Sequence, residues 1–279
     1  MISSRNYAPA PKLLPFLRRY YIFDAALPAT FELEDFLLAD NAFVRVLIEG
    51  DWAWWDDGRW VELRGPLLFG ANSRAMKVRV RGPFSVASFA IRPSAWTSLF
   101  EAPANDFADR IVPLAEGWGD AASAALVRNI AETRDDAAYV AAMEMAVVEQ
   151  LERIGRNQVD PVLASFEAIA RNDSTIRVEE AAQLLGLSPR QLERRCLAGF
   201  GLSPKSVLQR CRFLDMAAAI RGQSATDEAE LAALRFFDQS HLNREFRRYT
   251  GMTPGAFQRA TTPLFDASLT LRIEGKQLA

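Results

Sequence analysis

The groups best placed for chemistry lie in DQSHLNREFRRYTGMTP, residues 238–254. Leu242, Phe246 and Tyr249 recur at helical spacing, so Ser240, Asn243, Arg244 and Arg247 form the opposite front. Hydroxyl, amide and guanidinium groups on one helix face are the groups that read base edges and phosphates in a major groove. Asp238 is suited to cap this helix, Gly251 to end it, and Pro254 to keep it from restarting at once. A second helix of the same kind is expected from Ser188-Pro189 to about Gly199. There Leu192 and Cys196 turn inward, while Arg190, Glu193 and Arg194 face out and Arg195 flanks them. Taken alone, each segment also reads as an ordinary helix with a solvated polar face.

Other chemistries find little to work with. His241 is the single histidine and has no Ser, Cys or Asp arrangement around it, so no catalytic residues are expected. Cys196 and Cys211 are the two cysteines, too few for a disulfide framework or a His/Cys metal site. Asp56-Asp57 could pair on a metal, but with Gly58 they make a complete hairpin turn. No metal or cofactor is expected. All six tryptophans lie before residue 119. Trp52, Trp54 and Trp96 are candidates for lining an apolar ligand pocket, although tryptophan in such a region also serves as core filler. Trp54 and Trp55 point to opposite faces of a strand, so at most one of them lines any given cavity.

These residues need elements to hold them. Length (279 residues) allows one large or two medium domains, and 49% apolar content allows a real core. Residues 1–159 hold 17 Lys/Arg against 21 Asp/Glu, a net of −4; residues 186–259 hold 12 against 7, a net of +5. A mildly acidic half and a locally basic one suggest two jobs. The start, MISSRNYAPAPKLLPF, lacks the pattern of a signal peptide, and no apolar run would span a membrane, so a cytoplasmic protein is expected.

Residues 1–115 read mainly as strands, with Phe31–Leu38, Phe43–Ile48, Met76–Arg81 and Phe84–Ile91 separated by turns at Asp56-Asp57-Gly58, Gly65-Pro66 and Gly82-Pro83. After Ala121 the pattern turns helical. Leu126 and Ile130, then Met143, Val147 and Leu151, mark apolar faces that either fill a core or pair two subunits. Periodicity lapses at 153–159, and Asp160-Pro161 starts a new helix. A helix at about Val178–Leu185, Gly186 and the Ser188 helix make a helix-turn-helix. Ser203-Pro204 opens a longer helix to about Arg221, and the unit then recurs about 49 residues on. The expected fold class is α+β: an N-terminal small β-barrel or sandwich with trailing helices (1–155), an all-α domain with two helix-turn-helix units joined by a long helix (156–261), and a C-terminal extension (262–279).

That duplication carries a resemblance. AAQLLGLSPRQLERR, GLSPKSVLQRCRF and DQSHLNREFRRYTGMTP resemble the DNA-binding domain of the AraC/XylS family of transcription regulators. The first half is similar, less specifically, to the N-terminal domain of one branch of that family, through VELRGPLLFG, VASFAIRPSAW and DRIVPLAEGWG. The resemblance implies recognition of two adjacent major-groove segments of double-stranded DNA by Arg190, Gln191, Glu193, Arg194, Gln239, Ser240, Asn243, Arg244 and Arg247. It also implies a small-molecule effector or a homodimer at the N-terminal domain, and RNA polymerase as a partner. The sequence departs from the family pattern at Leu197, Leu231 and Arg235. Two other readings stay open: a metabolite-binding enzyme with a helical appendage, and a DNA-binding regulator without a ligand.

Overall fold

The computed structural model describes residues 2–62, 64–131, 135–223 and 239–277. Eight strands make one antiparallel sheet: β1 (Ile2–Tyr7), β2 (Leu17–Ala25), β3 (Glu32–Leu37), β4 (Phe43–Asp56), β5 (Arg59–Glu62), β6 (Pro66–Phe69), β7 (Met76–Ile91) and β8 (Ile111–Pro113). Their order is β1-β2-β7-β4-β6-β8, with β3 on β7 and β5 on β4. The sequence suggested two strands around Gly82-Pro83, yet the chain runs through as one strand of 16 residues. Gly82 takes φ +63°, and Gly50 on the partner strand takes φ +90° with its Cα so close to β7 that a Cβ would stand 2.2 Å from the Pro83 carbonyl oxygen. The paired strands also shift register between Leu47 and Asp51. Glycine and a bulge at one level bend both long strands together, so the punctuation curls the sheet instead of ending the strand. The Asp57-Gly58 turn is as expected, with both residues at positive φ between β4 and β5.

Alternation along the strands gives the sheet two apolar faces. Tyr20, Ile22, Val44, Val46, Phe89 and Ile91 face one side, where α1 (Trp96–Leu99), α2 (Ala115–Trp118), α3 (Asp120–Ala131) and α4 (Asp136–Ile154) cover them. Leu126, Ile130, Met143, Val147 and Leu151 are buried in this cluster. The stripe that could have paired two subunits is therefore core within one. Tyr21, Phe23, Phe43, Trp52, Trp54, Phe69, Val78 and Val86 face the other side.

The helical half comprises α5 (Pro161–Asn172), α6 (Val178–Leu184), α7 (Pro189–Phe200), α8 (Pro204–Ile220), α9 (Gln239–Thr250), α10 (Pro254–Arg259) and α11 (Pro263–Gln277). The expected caps are present: Asp160 accepts from Val162 and Leu163 N–H, Ser188 from Gln191 and Ser203 from Ser206. Leu163, Phe166, Leu192, Cys196 and Cys211 make one core; Phe213, Leu214, Phe246, Tyr249 and Phe257 make another. The long α8 contributes to both, so it joins the two as expected. Helix resumes at Pro254 itself, capped by the Thr253 hydroxyl, so that proline starts a new helix after a short break. Leu231, Ala233, Leu234, Arg235 and Asp238 lie outside the described residues.

The C-terminal extension is an integral part of the fold. Phe265 and Leu269 of α11 enter the second helical core, while Leu271 joins the aromatic cluster of the sheet. Asp35 of β3 is its N-terminal anchor, accepting from the Leu264 and Phe265 amides at 2.7 and 3.2 Å. Burial raises the Asp35 pKa to about 6, against the lowering pull of these and the Phe36 amide.

Candidate nucleic-acid interface

On α7 the expected division of faces is present. Leu192 and Cys196 are fully buried, while Arg190, Gln191, Glu193 and Arg194 are exposed along one front. The Gln191 side-chain Oε1 accepts from the Ser188 amide at 2.8 Å, completing a capping box with the Ser188 hydroxyl. That use fixes the first turn and commits its oxygen, leaving the side-chain NH₂ for other partners. Arg195 pairs with Asp160 at 2.7 Å, a flank role that ties α7 to the start of α5. Leu197 is exposed on the same helix.

Helix α9 repeats the arrangement with a stronger back. Phe246 and Tyr249 are fully buried, and Phe213 of α8 stacks on Tyr249 at 4.6 Å. Ser240, Arg244 and Arg247 are exposed, and Asn243 is half-buried. Gln239 opens the helix. Gly251 ends it at φ +71°. Among the described residues no carboxylate pairs with Arg190, Arg194, Arg244 or Arg247, so four guanidiniums on two helix fronts are free for phosphates or bases.

The N-terminal domain meets both units. Arg18 of β2 is paired with Glu167 of α5, their side chains 6% and 7% exposed, which makes this a buried ion pair. Arg210 of α8 donates to the Asp40 carbonyl at 2.7 Å and to the Asn41 side-chain oxygen. Burial would raise the Asp40 pKa, but Arg18, Arg272, Arg19 and Arg210 outweigh it and hold it at about 2. On the other unit, Arg248 of α9 donates to the Ser73 carbonyl at 2.9 Å and its own carbonyl accepts from Ala75 N–H at 2.7 Å.

Two clefts open on the aromatic face of the sheet, beneath α11. One is lined by residues that include Arg19, Tyr21, Asp40, Arg45 and Leu271; the other includes Phe23, Trp52, Phe84 and again Arg45. Leu37 and Ser268 line both. Of the three candidate tryptophans, Trp52 lines the second cleft, and Trp54 is buried in the same aromatic cluster. Trp55, on the opposite parity, is 43% exposed. Trp96 lies on the far side of the sheet, stacked on Phe100 at 4.2 Å with its indole N–H donating to the Ala102 carbonyl. It lines neither cleft. Arg19, Arg45 and Asp40 were not singled out by the sequence reading. The available signal was a charged residue at a covered position, as in Val44-Arg45-Val46 and Leu17-Arg18-Arg19-Tyr20.

Among the described residues no group of three His, Cys, Asp or Glu could hold a metal ion, and no helix is long and apolar enough to cross a membrane. Residues 181–260 match a family model described as a helix-turn-helix domain, and residues 5–113 match one described as a domain of unknown function (DUF6597). No curated protein matches the sequence. Among solved structures, ToxT from Vibrio cholerae is similar over 92% of this chain and 97% of its own, at 10% identity and TM-score 0.47. The unsaturated fatty acid-bound form from Vibrio cholerae strain SCE256 covers 85% and 93%, at 12% identity and TM-score 0.44. The AraC-like transcriptional activator CuxR covers 84% and 90%, at 12% identity and TM-score 0.27.

Proposed function

Because the chain carries an AraC-type helix-turn-helix domain at its C-terminal end, we propose that it is a transcription regulator that reads duplex DNA with α7 and α9 and answers to a small molecule at its N-terminal domain. The observation that carries this reading is the pair of exposed polar fronts, each backed by a fully buried stripe. A helix held by its back presents its front at fixed geometry, which major-groove readout needs. Arg190 and Arg194 suit guanine in one groove segment; Asn243 suits adenine and Arg247 guanine in the next. Gln191, Glu193, Gln239, Ser240 and Arg244 complete the two contact surfaces. The rigid 17-residue α8, about 25 Å long, sets their separation. RNA polymerase is the further partner through which a DNA-bound regulator acts.

Capture of genomic fragments by the purified full chain, followed by footprinting, tests the reading. Protection should extend over about two helical turns on one face of the duplex, with affinity falling steeply as salt rises. Arg194→Ala and Arg247→Ala should each cost about 1–3 kcal/mol of discrimination, at different half-sites. Loss that is uniform over all sequences would reassign either residue to a phosphate. Absence of binding to any fragment would overturn the proposal.

A further inference from the structure

Residues 70–75 join β6 to β7 and meet both DNA-reading units. Ala71 is buried in the core behind α7. Asn72 is buried as well: its side-chain oxygen accepts from Asp40 N–H at 3.0 Å, and its NH₂ donates to the Arg74 carbonyl at 3.3 Å. The Ser73 amide and hydroxyl each donate to the Asp109 carboxylate at 2.7 Å. Gly70 approaches the Phe107 carbonyl too closely to leave room for a Cβ. The loop is thus braced from several sides. Two bonds then fasten it to α9: Ala75 N–H donates to the Arg248 carbonyl at 2.7 Å, and Arg248 Nε–H donates to the Ser73 carbonyl at 2.9 Å.

Arg74 stands between those two attachments. It is exposed, and among the described residues no carboxylate pairs with it. At about 100° per residue, Arg248 lies about 40° around α9 from Arg244, so the loop borders the reading front and stays off the buried stripe. Arg74, Arg244, Arg247 and Arg248 therefore gather along one edge of the second unit, three from α9 and one from the sheet domain. No exposed acid of α9 offsets them, since its one carboxylate, Glu245, is buried. The Asp109 carboxylate is committed to Ser73.

We propose that Arg74 contacts a DNA phosphate at the groove edge beside α9, which makes the sheet domain part of the DNA interface. This deepens the regulator reading and rests on it. A helix lying in the major groove has a phosphate row along its flank, and a guanidinium on a braced loop suits a phosphate by charge and by its fork of donors. Arg74 is on that flank and not on the helix that enters the groove, so it adds affinity and register without reading a base. Arg248 holds the loop in place through its bonds to Ser73 and Ala75.

The test is a salt titration of the full chain on a captured genomic fragment and on a random-sequence duplex of the same length. Wild type and Arg74→Ala are compared from about 50 to about 200 mM salt. Loss of one phosphate contact should flatten the slope of log affinity against log salt by about 0.9, so that over this range the wild type loses about 3.5-fold more affinity than the variant. The flattening should be the same on both duplexes, and Arg74→Lys should keep the wild-type slope. Chemical unfolding should be unchanged, because the side chain is exposed and unpaired; Arg74→Gln repeats the comparison should the alanine variant not fold. A neutral methylphosphonate placed in turn at each phosphate of the half-site read by Arg247 should find one position that weakens the wild type and leaves Arg74→Ala unaffected. An unchanged slope, a loss confined to one sequence, or no such phosphate would overturn the proposal. No wild-type binding to any fragment would remove the regulator reading and this proposal with it, whereas wild-type binding with a slope indifferent to Arg74 removes this proposal alone.

Discussion

On α7, Gly199 lies so close to the N-terminal domain that an added Cβ would stand 2.6 Å from the Pro93 carbonyl oxygen. Gly201, two residues later at φ +73°, would place a Cβ 2.9 Å from the Ala104 carbonyl oxygen. With the buried Arg18–Glu167 pair beside them, these contacts fasten the first DNA-reading unit to the sheet domain backbone to backbone. The second unit is fastened differently. Arg248 of α9 is exposed, and its reach to Ser73 and Gln209 is made in solvent. Its backbone also accepts from Ala75 N–H, Leu38 and Ala39 of the sheet domain enter the core behind α9, and α11 with its buried Asp35 anchor lies alongside. Similar fronts are thus held by unlike backs. Close backbone packing with a buried ion pair yields less readily than a fastening that includes solvent-exposed polar contacts. The contrast makes the second unit the one whose placement is the more easily altered.

The largest effect is expected from attacking the firm side. Glu167→Ala leaves the Arg18 guanidinium buried without its carboxylate, a change that costs about 3–5 kcal/mol. Chemical denaturation of the full chain reads this directly. A loss under about 1 kcal/mol would mean that water reaches Arg18, and the contrast between the two attachments would weaken.

A smaller effect comes from the loop that both attachments share. Asp40 sits near pKa 2 in the fold and has an ordinary value near 4, so its contribution is complete above about pH 4 and is lost as pH falls through 2. The gap is worth about 2 kcal/mol. Unfolding of the wild type and of Asp40→Asn, compared at pH 5 and at pH 2, should show a difference that closes at the lower pH. A difference independent of pH would mean that the arginines around Asp40 act through hydrogen bonds alone.

The elements of the DNA-reading half were legible because their signals are local. Ser188-Pro189, Ser203-Pro204 and Asp160-Pro161 cap helices by chemistry contained in a few residues, and the buried stripes of α7 and α9 follow helical spacing. The attachments were not legible. Arg18 meets Glu167 across 149 positions and Arg19 meets Leu271 across 252, and no spacing rule connects residues so far apart. The cleft was half visible: Trp52 was singled out for its type, whereas Arg45 looked like any polar residue in an alternating strand until both faces of the sheet proved to be covered. Gly82-Pro83 looked like a strand end because its local chemistry is that of a turn, and only the facing Gly50 shows that it is a bend.

The smallest expected effect falls on the loose side and is the sharpest test of the comparison. Arg248→Ala removes an exposed side-chain contact to the Ser73 carbonyl, while the backbone bond from Ala75 N–H to the residue 248 carbonyl can persist. The stability change should be about 0.5–1 kcal/mol, in keeping with a solvent-screened contact. Its effect on DNA should be lopsided. With α9 freer and α7 still held by its close backbone packing, protection at the half-site read by Arg247 should weaken or become more salt-sensitive, and the half-site read by Arg194 should be unchanged. Footprinting both half-sites in one titration gives the answer. Equal loss at the two would mean that α8 carries the units as one rigid body.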